Sequence, residues 1–199
     1  YHLSVKIVGR SSGRSAVAAA AYRAGEKVAD YTTGLLHDYS RKSDVDHSQL
    51  MNAAGHSRES LWNSAEQAEN RKNSNVAREY QFALPIELSR EAQIEAAQSM
   101  ARFIVDQYGV AADLCLHNLE GDNPHAHLLT TTRVIDQDGN LNEKTRILDG
   151  KRNGSEQIRI IREKWAEIAN QALAREGHSS EIDHRSLEAQ GIDREPTIH

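Results

Sequence analysis

Asn123-Pro124-His125-Ala126-His127-Leu128-Leu129-Thr130-Thr131-Thr132-Arg133 is the stretch from which the fold can be read. A Leu- and Thr-rich run entered through an Asn-Pro turn predicts a β-strand. Strand side chains alternate between faces, so His125 and His127 point the same way. Upstream, Asp113-Leu114-Cys115-Leu116-His117 predicts a second strand, with Leu114 and Leu116 on one face and Cys115 and His117 on the other. Glu120-Gly121-Asp122-Asn123 between them is a turn signal. A hairpin symmetric about Gly121 sets His117 across from His125 and diagonal to His127. A His-x-His pair alone is ordinarily two surface histidines. A third imidazole brought in by strand pairing makes a three-nitrogen site with open positions, and neutral imidazole is the commonest protein ligand for a transition metal.

Outward from that hairpin, the composition sets the class. A chain of 199 residues, 38% hydrophobic and 27% charged, predicts one domain with a substantial core and a polar surface. No apolar run approaches the roughly 18 residues needed to span a bilayer, and no signal peptide is visible. Cys115 stands alone, which excludes an intramolecular disulfide and fits a reducing bacterial cytoplasm. The first residue is Tyr1 rather than Met, which fits residues 1–199 being the N-terminal domain of something longer. The net charge of -5 argues against a bulk nucleic-acid coat, but cations cluster locally. Lys6, Arg10, Arg14, Arg23 and Lys27 face only Glu26 in residues 1–28, and Lys144, Arg146, Lys151 and Arg152 face only Asp149 in residues 144–152. Such patches on an acidic body suit a confined phosphate-bearing ligand.

Taken in order, residues 2–7 alternate as a half-buried strand, with Leu3, Val5 and Ile7 toward the core. A Ser/Gly/Arg loop follows, and Ser15 caps an alanine-rich helix over 16–24 that Gly25 terminates. Tyr22 lies late in that helix among small neighbours, either an aromatic anchor or an accessible phenol. Residues 29–56 read as a short hairpin or ordered loop. Ser57 predicts a helix carrying Leu61, Trp62, Ala65, Ala68 and Lys72. Residues 76–84 alternate again, placing Glu79 and Gln81 on a face lined by alanines, where the carboxylate could ligate metal, orient a histidine or accept a proton. Ser89 opens a third helix ending near Gly109. Ser155 opens the clearest amphipathic one, through Ile158, Ile161, Trp165, Ile168 and Ala172 to Gly177, followed by a polar tail.

A metal face, a candidate phenol nucleophile and basic patches point to phosphodiester chemistry. A cation on three neutral ligands keeps its full charge for a phosphate, and a tyrosine attacking phosphorus conserves the bond as a phosphotyrosine. At these residues the chain resembles the MobA/MobL-type conjugative relaxases within the HUH endonucleases. Tyr1-His2-Leu3-Ser4 resembles the family's first strand, and Ala21-Tyr22-Arg23-Ala24-Gly25 its nucleophile segment. Ala77-Arg78-Glu79 before Phe82-Ala83-Leu84-Pro85 resembles the strand with an active-site carboxylate, and His117 with His125-Ala126-His127 the metal triad. The tail from Asp183 to Ile192, with Glu195-Pro196, is similar too. Ala126 is small for the residue between the two histidines, and Tyr22 stands singly where other relaxase groups carry paired tyrosines. Tyr31 and Tyr39 are also near in sequence, so the choice of Tyr22 rests partly on the resemblance.

The resemblance implies an α+β fold with a palm-like central antiparallel sheet and flanking helices. It implies that Tyr22 nicks single-stranded transfer-origin DNA, leaving a 5′-phosphotyrosine and a 3′-OH that can rejoin. Charge clustering, rather than the resemblance, places Lys6, Arg10, Arg14 and Arg23 near the scissile phosphate, and Lys144, Arg146, Lys151 and Arg152 on flanking DNA or a hairpin. Relaxosome accessory proteins and a coupling protein would be its partners. Ligand softness alone favours zinc, nickel or copper, whereas the resemblance implies one Mn2+ or Mg2+. Three other readings make different predictions: a rolling-circle replication initiator would cut a replication origin, a water-using metal hydrolase would not need Tyr22, and a noncatalytic DNA-binding module would not cut.

Overall fold

The structure, a computed structural model, describes residues 1–193 apart from the Lys151 side chain; Glu195-Pro196 lie outside it. Strands β1 (Leu3–Gly9), β4 (Val45–Met51), β5 (Asn75–Ala83), β6 (Val110–His117) and β7 (His125–Ile135) form an antiparallel sheet ordered β1-β5-β7-β6-β4. β8 (Leu141–Lys144) pairs with the far end of β7, and β2 (Lys27–Ala29) with β3 (Leu36–Asp38) forms a separate hairpin. Helices α3 (Arg90–Tyr108) and α4 (Lys151–Arg175) pack on one face through Met100, Ile104, Ile161 and Trp165, against Tyr80, Phe82, Leu114 and Leu128. Helices α1 (Ala16–Ala24) and α2 (Arg58–Gln67) pack on the other, against Val8, Ala77, Ala111 and Leu129. This is the α+β arrangement of a palm-like sheet with flanking helices.

Alternation along β5, β6 and β7 explains both layers. Tyr80, Phe82, Leu114, Leu116, Ala126 and Leu128 feed the α3–α4 core. Residues of opposite parity, including Glu79, Cys115, His117, His125 and His127, stand on the α1 face. Helix α1 can lie close to that face because Ala16, Ala20 and Ala21 are its contact residues and all are buried. Ser15 fixes its start twice over, accepting from the Ala18 N–H and donating to the buried Asp30. Gly25 ends it at φ 63°, in the left-handed region.

Four expectations are corrected. Residues 45–51 form an edge strand of the main sheet rather than loop. Ile7 is exposed, because the α3–α4 layer reaches Leu3 and Val5 but not the far end of edge strand β1. Helix α2 stops at Gln67, short of Lys72, and Arg10 satisfies the carbonyls of Glu66, Glu69 and Arg71 at and beyond its end. Helix α4 begins at Lys151, ahead of Ser155, after Gly150 at φ 86°. Gly154 in its first turn lies against the Leu148 carbonyl, where a Cβ would come within 2.8 Å of the oxygen.

One buried ionic group ties α2 to the sheet. Asp113 accepts from Arg58 Nε and Nη2 at 2.8 Å and from Trp62 Nε1 at 2.9 Å. Removing one partner of such a pair leaves an uncompensated buried charge. Asp113→Ala should therefore destabilise the fold by about 3–5 kcal/mol, read by urea denaturation. A loss below 1 kcal/mol would show the group to be solvated.

Candidate active site and metal centre

The β6–β7 hairpin delivers the three histidines in the expected register. His117 pairs with His125, and Cys115 with His127. Asn118 opens the turn at φ 60°, a conformation that Asn tolerates, and a Cβ at Gly121 would collide with the Asn118 side chain. The imidazole centroids lie 4.8–5.3 Å apart. Each ring offers one nitrogen to a common point, these atoms all lying within 4.8 Å of one another.

The other nitrogens are held by the protein. His127 Nδ1 lies 2.7 Å from Glu79 Oε1, His125 Nδ1 2.8 Å from the Asn123 carbonyl and His117 Nε2 2.6 Å from the Arg23 carbonyl. Each acceptor requires an N–H, which fixes the tautomer and leaves the second nitrogen its lone pair. Burial pushes His117 down to about 4 and lowers His127 as well, outweighing the pull of Glu79 on the latter. Both are neutral at physiological pH, the form a cation requires. A three-imidazole donor set with oriented rings fits one divalent ion.

Burial would raise Glu79, but His127 and Arg23 outweigh it and hold the carboxyl at about 2. A group that acidic is a weak proton acceptor at neutral pH. Its two oxygens are also taken, one by His127 and the other by Arg23. Orientation of His127 is what this geometry does.

Tyr22 stands on the same face, half exposed at 49%. A cavity of about 440 Å³ joins it to Lys6, Arg14, Arg23, Glu79, Gln81 and His127. Beside it stand Tyr39, which the sequence offered only as a rival tyrosine, and Lys42, which carried no signal there. The Tyr39 ring meets Tyr22 edge-on at 5.2 Å between centroids, and Lys42 Nζ sits 4.6 Å from the Tyr22 ring centre. Lys42 also pairs with Asp44, itself 4.0 Å from His117 Nδ1, so this loop runs from the phenol to the histidines.

The basic residues divide. Lys6, Arg14 and Arg23 line the Tyr22 cavity, whereas Arg10 is committed to Glu66 and the end of α2. Lys144 and Arg146 line a separate groove with Arg71, Arg78 and Arg133, and Lys144 is paired there with Glu69. Arg152 is exposed on α4, and the Lys151 side chain lies outside the described residues.

Comparison with known proteins now bears on this site. The MobA/MobL family profile matches residues 14–199. The chain belongs to the MobA/MobL family. Mobilization protein MobL of Acidithiobacillus ferridurans is 39% identical over 230 residues, covering 100% of this chain and 61% of that protein. Mobilization protein A of Escherichia coli is 34% identical, covering 100% of this chain and 29% of that protein. This MobA/MobL chain thus spans about three-fifths or less of these curated relatives. Among solved structures, one described as "Molecular Basis of Vancomycin Resistance Transfer in Staphylococcus aureus" superposes with a TM-score of 0.83 at 32% identity, covering 94% of this chain and 98% of that one. The conjugative relaxase TrwC, solved with oriT DNA and metal, gives a TM-score of 0.56 at 13% identity over 88% of this chain and 71% of that one, which shows a shared fold. Among the described residues no helix is long and apolar enough to cross a membrane.

Proposed function

We propose that this domain is the nicking and strand-joining unit of a mobilisation relaxase, acting on single-stranded DNA of a plasmid transfer origin. The observation that carries the reading is the shared cavity. A half-exposed tyrosine, the three cations Lys6, Arg14 and Arg23, and the Glu79–His127 pair of a three-histidine cluster face one space large enough for a phosphodiester. The names of the relatives support the same substrate.

In this reading the Tyr22 oxygen attacks the scissile phosphorus, the bond to the 3′ oxygen breaks, and the phenol proton passes to that leaving oxygen. The product is a 5′-phosphotyrosine beside a free 3′-OH, and the reverse step joins the strand. Lys6 and Arg14 attract the phosphate backbone, while Lys42 and Tyr39 seat the Tyr22 ring. Arg23 holds Glu79, and Glu79 holds His127. His117, His125 and His127 would bind one Mn2+ or Mg2+, whose charge polarises the phosphate and offsets its growing negative charge. Lys144 and Arg146 would hold flanking DNA. A bacterial cytoplasmic setting, relaxosome accessory proteins and a coupling protein belong to the same proposal.

The test is incubation with single-stranded transfer-origin oligonucleotides and Mn2+, resolved on a denaturing gel. A protein-linked DNA band is expected. Cleavage without any such band would favour the water-using hydrolase.

A further inference from the structure

One acid reaches the histidines from the edge-strand side of the sheet. Asp44 immediately precedes β4, whose first residue, Val45, pairs with His117. The Asp44 carbonyl accepts from the Asn118 N–H at 3.1 Å, so the same pairing fixes Asp44 beside the end of β6. Its carboxylate oxygen Oδ2 lies 4.0 Å from His117 Nδ1. That nitrogen is the one with a free lone pair, because His117 Nε2 is held by the Arg23 carbonyl.

Asp44 and Glu79 differ in what they can reach. Glu79 meets the nitrogen that His127 turns away from the cluster, and its other oxygen is taken by Arg23, so it acts through the ring. Asp44 meets a nitrogen that its ring turns toward the cluster. Lys42 Nζ holds the Asp44 side chain, 2.9 Å from Oδ1 and 3.0 Å from Oδ2. That hydrogen bond keeps the carboxyl below its usual range, so the group is charged at neutral pH. One lysine uses only part of the roughly four lone-pair sites of a carboxylate. The side chain is also nearly half exposed, which leaves it room to turn.

Donor type decides which ion such a site prefers. Imidazole suits zinc, copper and nickel, whereas carboxylate oxygen suits magnesium and manganese. Three neutral rings alone supply no anionic oxygen. We propose that Asp44 supplies it, acting with His117, His125 and His127 on the cation and tilting the site toward a hard ion such as Mn2+ over Zn2+. This rests on the three histidines being the cation site, as in the function proposed above. Lys42 and the ion then compete for the same two oxygens, and Asp44 stands between the charge on the metal and the charge beside Tyr22.

The test is cation binding by the whole chain without DNA. Mn2+ is followed by its free-ion electron paramagnetic resonance signal, and Zn2+ by competition with a chromophoric chelator. Asp44→Asn keeps the shape of the side chain and removes its charge, and an unaltered melting curve checks the fold. Mn2+ affinity should fall about 10- to 100-fold, the range for loss of a group that supports metal-binding imidazoles, and Zn2+ affinity should fall several-fold less. Lys42→Met frees the carboxylate from its competitor and should not lower Mn2+ affinity. Unchanged Mn2+ affinity in Asp44→Asn, or equal losses of Mn2+ and Zn2+, would overturn the proposal. So would matching losses of Mn2+ affinity in Lys42→Met and Asp44→Asn, which would reduce the pair to a brace for the loop. If His125→Ala also left Mn2+ affinity unchanged, the histidines would not be the cation site, and the reading beneath the proposal would fail instead.

Discussion

Tyr22→Phe should abolish the covalent protein–DNA band while leaving the fold and the binding of single-stranded DNA intact. The substitution removes one oxygen and nothing else that the structure uses. The Tyr22 hydroxyl makes no hydrogen bond among the described residues, and its ring contacts with Tyr39 and Lys42 survive in phenylalanine. On the proposed mechanism no phosphotyrosine can form without that oxygen, so the expected effect on adduct yield is total rather than partial. Tyr31 supplies a control, since its hydroxyl donates to Glu59 and it does not line the Tyr22 cavity. Tyr31→Phe and Tyr39→Phe should both keep the band. If Tyr22→Phe still cuts DNA at the same position, water is the attacking group and Tyr22 is a positioning residue.

The second large effect concerns the cation. His125→Ala removes one of three imidazoles from the rim of the sheet, where the substitution leaves the core untouched. Mn2+ affinity, followed by the free-ion electron paramagnetic resonance signal, should fall by more than the roughly 10–100-fold that loss of an orienting partner causes. Glu79→Gln should fall within that range, because the amide oxygen can still accept from His127 Nδ1 but carries no charge. It also releases Arg23 from its ion pair. Equal losses in the two variants would make Glu79 a direct ligand. No loss in either would move the ion elsewhere.

Much of this site was legible because short-range rules decide it. Ser15 and Gly25 bracket α1, and period-two alternation with the turn at Gly121 brings His117, His125 and His127 onto one face. What escaped was decided by distant partners. β4 reads as loop because an edge strand with both faces half covered, carrying Asp46, His47, Ser48 and Gln49, has no hydrophobic alternation. Its place in the sheet comes from pairing with β6 and from Asp46, which holds Arg90 and the Leu119 N–H. Arg10 belongs by sequence to a phosphate-binding loop, yet Glu66 lies where its guanidinium ends. No local pattern marks Lys42, which reaches Tyr22 only because the loop after β3 folds back over α1.

The strand order also has a consequence in time. His117 and His125 are joined by the short turn 118–124, whereas β1, which leads directly into α1 and Tyr22, meets its sheet neighbour β5 only when Leu3 pairs with Phe82. Loop closure costs more entropy across the longer span, and local contacts form sooner. The ligand hairpin should therefore become protected from hydrogen exchange before α1 does in a pulse-labelled refolding experiment, and simultaneous protection would show a single concerted nucleus. With that order, a chain caught part-way through folding has the three histidines assembled while Tyr22 is still undocked. On the proposed function, cutting competence would arrive only once the amino-terminal strand is in place.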